Sequence, residues 1–338
     1  MSLLRRQKAA EDIEPGDDSR PGREGEHPRS VAEPEVAPPT ASPPAPQPWQ
    51  PIAVDEAGPV FEARPPAGPD SFDFPDTECD GWSTASATLR YASVRGARHR
   101  YHREPRQDSA RAALHAASDT IVFAVADGVS SATIAHRGAH EVCEAAVGRM
   151  LHCLSADPRW GDFDDLARYC AGSLRNLASW RLREQHPAPP EIARLYATTL
   201  VAGLVWPHSD GPVAELFRIG DSGAWVLDRA AGRYVDLFGS DEPEDVVSTG
   251  VTPLPHLPER VDVVKRQLSP SQVLLVGTDG FGVPLGDGDG LIGALFARHL
   301  GAPPAPSWLA HVLDFSRATF DDDRTLLAIW PRDPQGPQ

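Results

Sequence analysis

The 338-residue chain has only four cysteines, Cys79, Cys143, Cys153 and Cys170, and none is spaced as C-x-x-C or as a metal finger. A zinc-finger or thiol-disulfide chemistry is therefore excluded on spacing. Three of the four lie in segments of helical periodicity, where a buried thiol is the expected role, and a reducing cytoplasm is the expected home. No run of about 18 apolar residues occurs, and the opening Met-Ser-Leu-Leu-Arg-Arg-Gln-Lys turns acidic without an apolar core, so neither a membrane span nor export is expected. Basic residues are not clustered either. The 32 Lys and Arg are scattered against 48 Asp and Glu, for a net charge of −16 and a pI near 5.1. A nucleic-acid partner, which needs a basic stripe or patch, is not expected.

Proline, by contrast, is abundant and unevenly placed: 16 of the 35 prolines fall before residue 76. That stretch has no periodic apolar residues and cannot bury enough surface to offset chain entropy. Residues 1–76 are read as a disordered, acidic, Pro-rich arm, 77–332 as one folded domain and 333–338 as a disordered tail. About 260 residues suffice for one large core.

Within the folded part, strands are expected at 84–94, 119–126, 197–206, 213–219, 224–227, 261–267, 272–277 and 325–330. Apolar residues at helical spacing predict helices over 134–154 (Ile134, Ala139, Val142, Ala146, Met150, Leu154) and 163–180 (Phe163, Leu166, Tyr169, Cys170, Leu174, Leu177, Trp180). Two shorter helices are expected at 291–299 and 307–318. Strands joined mostly by short turns, with helices between the early and middle strands, give an α+β fold of antiparallel sheets with helices on their outer faces.

Three aspartates stand where an apolar strand runs out or begins: Asp127 after Ile121-Val-Phe-Ala-Val-Ala, Asp279 after Val273-Leu-Leu-Val-Gly-Thr, and Asp322 before Arg324-Thr-Leu-Leu-Ala-Ile-Trp. A single Asp-Gly at a strand end is ordinary turn chemistry. Several carboxylates converging at one rim make an all-oxygen site for a hard divalent cation. In chain order the further motifs are Gly96-Ala-Arg-His, Arg103-Glu-Pro-Arg-Gln-Asp, Ala126-Asp-Gly-Val-Ser-Ser, Ala197-Thr-Thr-Leu, Ile219-Gly-Asp-Ser, Thr278-Asp-Gly and Asp321-Asp-Asp-Arg-Thr.

This ordered set resembles the metal-dependent serine/threonine protein phosphatases of the PP2C type, the bacterial branch in particular, over about residues 83–330. The resemblance implies a four-layer α-β-β-α sandwich of two antiparallel sheets flanked by helices, with the site in a cleft at one end. It implies hydrolysis of phosphoserine and phosphothreonine in proteins by a water bridging two divalent ions, Mg2+ or Mn2+. On the matching positions, Asp127 would bridge the ions, the Gly128 carbonyl would complete one of them, Asp279 and Asp322 would hold the other, and Asp108 would orient water from the outer shell. Arg103, five residues before Asp108, is the matching candidate for the phosphate contact, in competition with Arg98, Arg100 and Arg106. His99 is a candidate proton donor to the leaving group, or a structural residue. Phosphoproteins and a kinase of the same specificity are the implied partners.

The departures from the pattern keep a second reading open, that of a non-catalytic phosphoprotein-binding module of the same fold; a phosphatase of small phosphomonoesters is a third. Gln107 stands at a position often held by a metal-binding glutamate. Ser130 and Ser131 replace two glycines, restricting positive φ. Leu195 stands where relatives carry an Asp for a third metal, which makes a third ion doubtful, and Asp323 lies beside Asp322 in an acidic run that blurs which residue is the ligand. Thr198 and Thr199 are expected to stabilise strand pairing rather than touch substrate. The long segment 238–258 falls where the family has a flap beside the site; it is either a contact for basic phosphopeptides or a solvated loop.

Overall fold

The apolar run from Ile121 to Ala126 dictates the layering. Its side chains alternate between two apolar clusters, with Ile121, Phe123 and Val125 in one and Val122, Ala124 and Ala126 in the other. A strand buried on both faces needs a partner layer on each side. The computed structural model describes residues 50–59, 61, 64–68, 71–239 and 252–332, all within one compact unit. Its elements run β1 (Thr77–Ser83), β2 (Ala87–Val94), α1 (Ala97–His102), β3 (Ser109–His115), β4 (Thr120–Ala126), α2 (Ala135–Ala156), α3 (Phe163–Leu182), α4 (Pro189–Tyr196), β5 (Leu200–Trp206), β6 (Val213–Ile219), β7 (Gly223–Asp228), β8 (Arg233–Asp236), β9 (Asp262–Gln267), β10 (Gln272–Gly277), α5 (Asp279–Leu285), α6 (Leu291–His299), α7 (Pro306–Leu313) and β11 (Arg324–Pro331).

Two antiparallel sheets form, in the orders β1-β2-β11-β10-β7-β8 and β3-β4-β5-β6-β9. Their facing sides share one core that includes Leu89, Phe123, Val201, Leu216, Leu274, Leu327 and Ile329. On the outer face of the five-stranded sheet, Val122, Ala124 and Leu204 meet Val142, Ala146 and Met150 of α2 and Leu166, Cys170 and Leu174 of α3. On the outer face of the six-stranded sheet, Trp225, Leu275, Ala328 and Trp330 meet Phe281, Phe296, Leu309 and Leu313 of α5, α6 and α7. The result is the four-layer α-β-β-α sandwich that the family resemblance implies. The exposed edge strand β9 carries Asp262, Lys265 and Arg266, charges that discourage further strand pairing. All four cysteines are free thiols, with Cys143, Cys153 and Cys170 buried. Among the described residues, no helix is long and apolar enough to cross a membrane.

The sequence reading misses β1, β3, β8, α1, α4 and α5. The Arg- and His-rich α1 has no apolar period, and α5 contains two glycines and Pro284. The helix expected at 307–318 ends at Leu313, because Arg324 donates to the carbonyls of Leu313, Phe315 and Phe320 and holds 314–320 as a loop.

The arm boundary expected at residue 76 needs correction; residues 1–49 and 333–338 lie outside the described residues. The described residues from 50 onward strap the domain: the Val54 N–H donates to the Ser316 carbonyl (2.9 Å), the Ser316 N–H to the Ile52 carbonyl (2.8 Å), and the Ala318 N–H to the Glu56 carbonyl (2.7 Å). Val54 and Phe74 are buried, and the Asp76 carboxylate pairs with Arg100 at 2.7 Å. Proline richness hid this, because a strap needs only a few anchors rather than a periodic face. A chain beginning at residue 77 is therefore expected to lose at least about 3 kcal/mol relative to one beginning at residue 50, since each buried Val or Phe contributes roughly 1.5–3 kcal/mol. Equilibrium denaturant unfolding of the two truncations checks this, and equal midpoints would refute it.

Candidate metal centre

Antiparallel pairing brings four acidic positions to one end of the sandwich. Asp108 immediately precedes β3 and Asp127 immediately follows β4, in a register that sets Ser109 opposite Ala126. Asp279 starts α5 just beyond β10, and Asp322 lies just before β11, in a register that sets Gly277 opposite Leu326. Strand starts and strand ends alternate along an antiparallel sheet, which pairs Asp108 with Asp127 in one sheet and Asp279 with Asp322 in the other, and the Thr278 hydroxyl on Asp108 Oδ2 joins the two ends into one rim.

The Asp127 main chain is fixed by the Ala-Thr-Thr and Gly-Asp-Ser motifs. Its carbonyl accepts from the Thr199 N–H and the Thr198 hydroxyl, both at 2.8 Å, and its N–H donates to Thr199 Oγ1 at 2.9 Å. Thr199 Oγ1 in turn lies 2.7 Å from Ser222 Oγ. The threonines thus serve the backbone, as expected. Gly128 permits α2 to begin against it, since a Cβ there would sit 2.8 Å from Ala135. Ser130 and Ser131 both have negative φ, so the turn never needs the glycines they replace.

Asp322 and Asp323 have different work. Asp323 is 2% exposed; one carboxylate oxygen accepts from the Gly96 N–H (2.7 Å) and the other from the Gln107 N–H. His99 Nδ1 lies 2.9 Å from the second oxygen, in a contact closer to an ion pair than to an aligned hydrogen bond. Burial alone would raise the Asp323 pKa, yet His99 and the two N–H donors outweigh it and hold the carboxyl below its ordinary value. Asp322 is engaged too, its Oδ1 accepting from the Asp323 N–H at 2.9 Å and its Oδ2 pairing with Arg98, and it lies with His99 and Asp323 within 4.8 Å, so exposure to the cleft is what marks Asp322 as the ligand candidate. Asp322 is 42% exposed and faces Asp279 across a cleft of about 210 Å3. Close packing of backbone seats its loop: a Cβ on Gly96 would fall 2.2 Å from the Asp322 carbonyl carbon, and one on Gly280 would collide with the Asp323 carbonyl.

The remaining carboxyls crowd one another. Asp127 is driven well above the usual carboxylate range by burial and by the charges of Asp108 and Asp279, both within hydrogen-bonding reach. Burial, with the charge of Asp323, pushes Asp108 up to about 8, although the Thr278 hydroxyl donates to its Oδ2 at 2.8 Å. Asp279 is raised by burial and by Asp322 and Asp221. Asp221 and Thr278 are contributors that sequence reasoning left unassigned, although the Gly-Asp-Ser and Thr-Asp-Gly motifs contain them.

Of the four arginines, Arg98 alone touches an acid of this rim, its Nη2 lying 2.8 Å from Asp322 Oδ2. Arg100 is held by Asp76 and Asp314, and Arg106 is buried against Glu78 and the Asp108 carbonyl. Arg103 is exposed in a left-handed conformation (φ 62°), with Nε on the Pro65 carbonyl at 3.4 Å. His99 is 2% exposed, between Asp323 and Glu104 (Nε2–Oε2 3.4 Å). Leu195 packs against the core of α2 and α3. Most of the expected flap, 240–251, lies outside the described residues; at its far end Leu254 is fully buried and bridges to Thr198.

The donor set fits a hard divalent cation. Its carboxylates are all oxygen donors, Arg98 and His99 are the basic side chains that stand beside Asp322 among the described residues, and next to it Gln107 Oε1 is buried without a hydrogen-bond partner. Removing one repelled charge should relieve the metal-free protein. Asp127→Asn is expected to raise the unfolding temperature in EDTA by about 2–4 °C, equivalent to about 1 kcal/mol for a domain of this size, and to abolish stabilisation by added Mn2+. Differential scanning calorimetry with and without Mn2+ reads both effects; a lower temperature in EDTA would show that the crowding is already compensated.

A family model described as Protein phosphatase 2C matches residues 95–314, about two thirds of the chain. No match is found among curated proteins. Solved structures similar to the chain include RsbX in complex with magnesium (12% identity over 75% of this chain and 100% of the other, TM-score 0.48) and the Mycobacterium tuberculosis serine/threonine phosphatase PstP/Ppp (16%, 73% and 100%, 0.48). The PP2C phosphatase domain of SpoIIE from Bacillus subtilis is also similar (14%, 75% and 69%, 0.45). The family match takes in Asp108, Asp127 and Asp279 at their places in the sandwich, and the chain belongs to the protein phosphatase 2C family.

Proposed function

We propose that the chain is a divalent-metal-dependent phosphatase that hydrolyses phosphoserine and phosphothreonine in proteins. The observation that carries this reading is the convergence of Asp108, Asp127, Asp279 and Asp322 on one rim, with the Asp127 main chain held by Thr199 and the Asp108 carboxylate by Thr278. Two Mg2+ or Mn2+ ions bound there would neutralise charge on a phosphoryl group and supply a nucleophile at neutral pH. Asp127 and the Gly128 carbonyl would hold them on one side, Asp279 and Asp322 on the other. Asp108, anchored by Thr278, would accept hydrogen bonds from water in the site.

Arg98 is better suited than Arg103 to receive the phosphate. Asp322 holds the Arg98 Nη2 at 2.8 Å beside the cleft, whereas the Arg103 Nε turns to the Pro65 carbonyl; the Arg98 Nε is buried, so the contact falls to its Nη atoms. A planar fork so oriented matches two phosphate oxygens. His99 is enclosed by Asp323 and Glu104 and acts in this reading as a brace for the Gly96–Arg98 turn, not as a proton donor. Phosphoproteins are the substrates and a serine/threonine kinase their source.

The test is phosphate release from a phosphothreonine peptide by the full chain with Mn2+. Turnover is expected to vanish in EDTA and in Asp127→Ala and Asp279→Ala. Arg98→Ala should lower kcat/KM roughly ten- to a hundredfold, the size of a lost charge-assisted contact, while Arg103→Ala stays within about twofold, as a surface change should. Turnover that survives EDTA and both aspartate substitutions would overturn the reading.

A further inference from the structure

Outside the acidic rim, an open groove of about 800 Å3 runs between the C-terminal end of α3 and the N-terminal end of α2. Ile134 and Leu177 give it an apolar floor, and Trp180, 87% exposed, stands at its side. Its charged lining is Arg137, Arg181 and Arg183, with no carboxylate, in a chain whose net charge is −16. Arg181 and Arg183 are exposed and make no ion pair among the described residues, and Arg137 stands 3.7 Å from Asp73.

The groove adjoins the site through the loop that leaves Asp127. That loop ends at Ile134, whose N–H donates to the Leu195 carbonyl at 3.0 Å, and Ile134 is a wall of the groove. A strongly acidic protein repels acidic partners unless it offers a local basic surface. An exposed indole beside guanidiniums and an aliphatic floor is the composition of a binding hot spot.

We propose that this groove docks the protein substrate through an acidic segment carrying an apolar side chain. The indole and floor take the apolar group, and Arg181, Arg183 and Arg137 take the carboxylates. This rests on the phosphatase reading for its purpose, but not for its chemistry.

The experiment uses the full chain and two fluorescein-labelled, unphosphorylated peptides, one rich in Asp and Glu with a single Leu, the other its Lys-substituted counterpart. Fluorescence anisotropy is expected to give binding of the acidic peptide alone, weakened by salt. Trp180→Ser, which removes an exposed side chain, and the double variant Arg181→Gln with Arg183→Gln should each weaken it about tenfold. Turnover of p-nitrophenyl phosphate should not change in either variant, while kcat/KM on a phosphothreonine peptide with an acidic flank should fall with the binding. No binding of the acidic peptide, equal binding of the basic one, or variants that bind as wild type overturns the proposal. Arg181 and Arg183 would then serve only the negative end of the α3 dipole. If the wild type turns over no phosphoester yet binds the acidic peptide through these residues, the catalytic reading fails and the groove stands.

Discussion

The acidic end of the sandwich depends on one buried carboxylate. Asp323 ties three separate stretches of chain: its own turn before β11, the Gly96 turn after β2, and the Gln107 main chain before β3. Each of those stretches carries a residue of the site on its far side, namely Asp322, Arg98 and Asp108. A buried anion is tolerable only when its lone pairs are met by donors, and here two N–H groups and His99 meet them. The same interaction that neutralises the cost of burying Asp323 therefore fixes the relative positions of the groups that face the cleft.

Around that fixed point the molecule carries opposed tendencies. Asp108, Asp127 and Asp279 repel one another in a partly dry setting, which by itself favours unfolding. The sheets resist, because Asp127 continues a strand buried on both faces and Asp279 is joined directly to another. Strain of this kind is tolerated at sites of function when the surrounding core over-determines the geometry.

Much of this was legible in the sequence, unevenly. Most strands and the two long helices were, because buried strands appear as continuous apolar runs and helical faces as a 3.6-residue period, while their arrangement in four layers followed from the family resemblance. Three aspartates of the acidic rim were legible as well, since Asp127 and Asp279 stand where such a run stops and Asp322 where one begins, whereas Asp108 was placed by the family resemblance alone. The side chains that orient the site were not. Nothing in the spacing separates Arg98 from Arg103, because the short α1 that intervenes has no apolar face to announce it and it redirects each arginine differently. Asp322 and Asp323 are equivalent as letters, and only the donors around the second reveal it as a brace. The strap from residue 50 was hidden by proline, whose abundance signals missing periodicity and is silent about isolated anchors such as Val54 and Phe74.

The last strand, β11, is not at an edge; it lies between β2 and β10 in the middle of its sheet. A ribosome delivering this chain makes β2 more than two hundred residues before the strand that pairs with it. Until then the six-stranded sheet is two fragments with open edges, and the Asp323 brace is not yet synthesised. Nascent chains must therefore be shielded for nearly the whole of translation. They also cannot assemble the acidic rim early, because a product that stops before the turn preceding β11 lacks both the Asp322 carboxylate and its Asp323 brace.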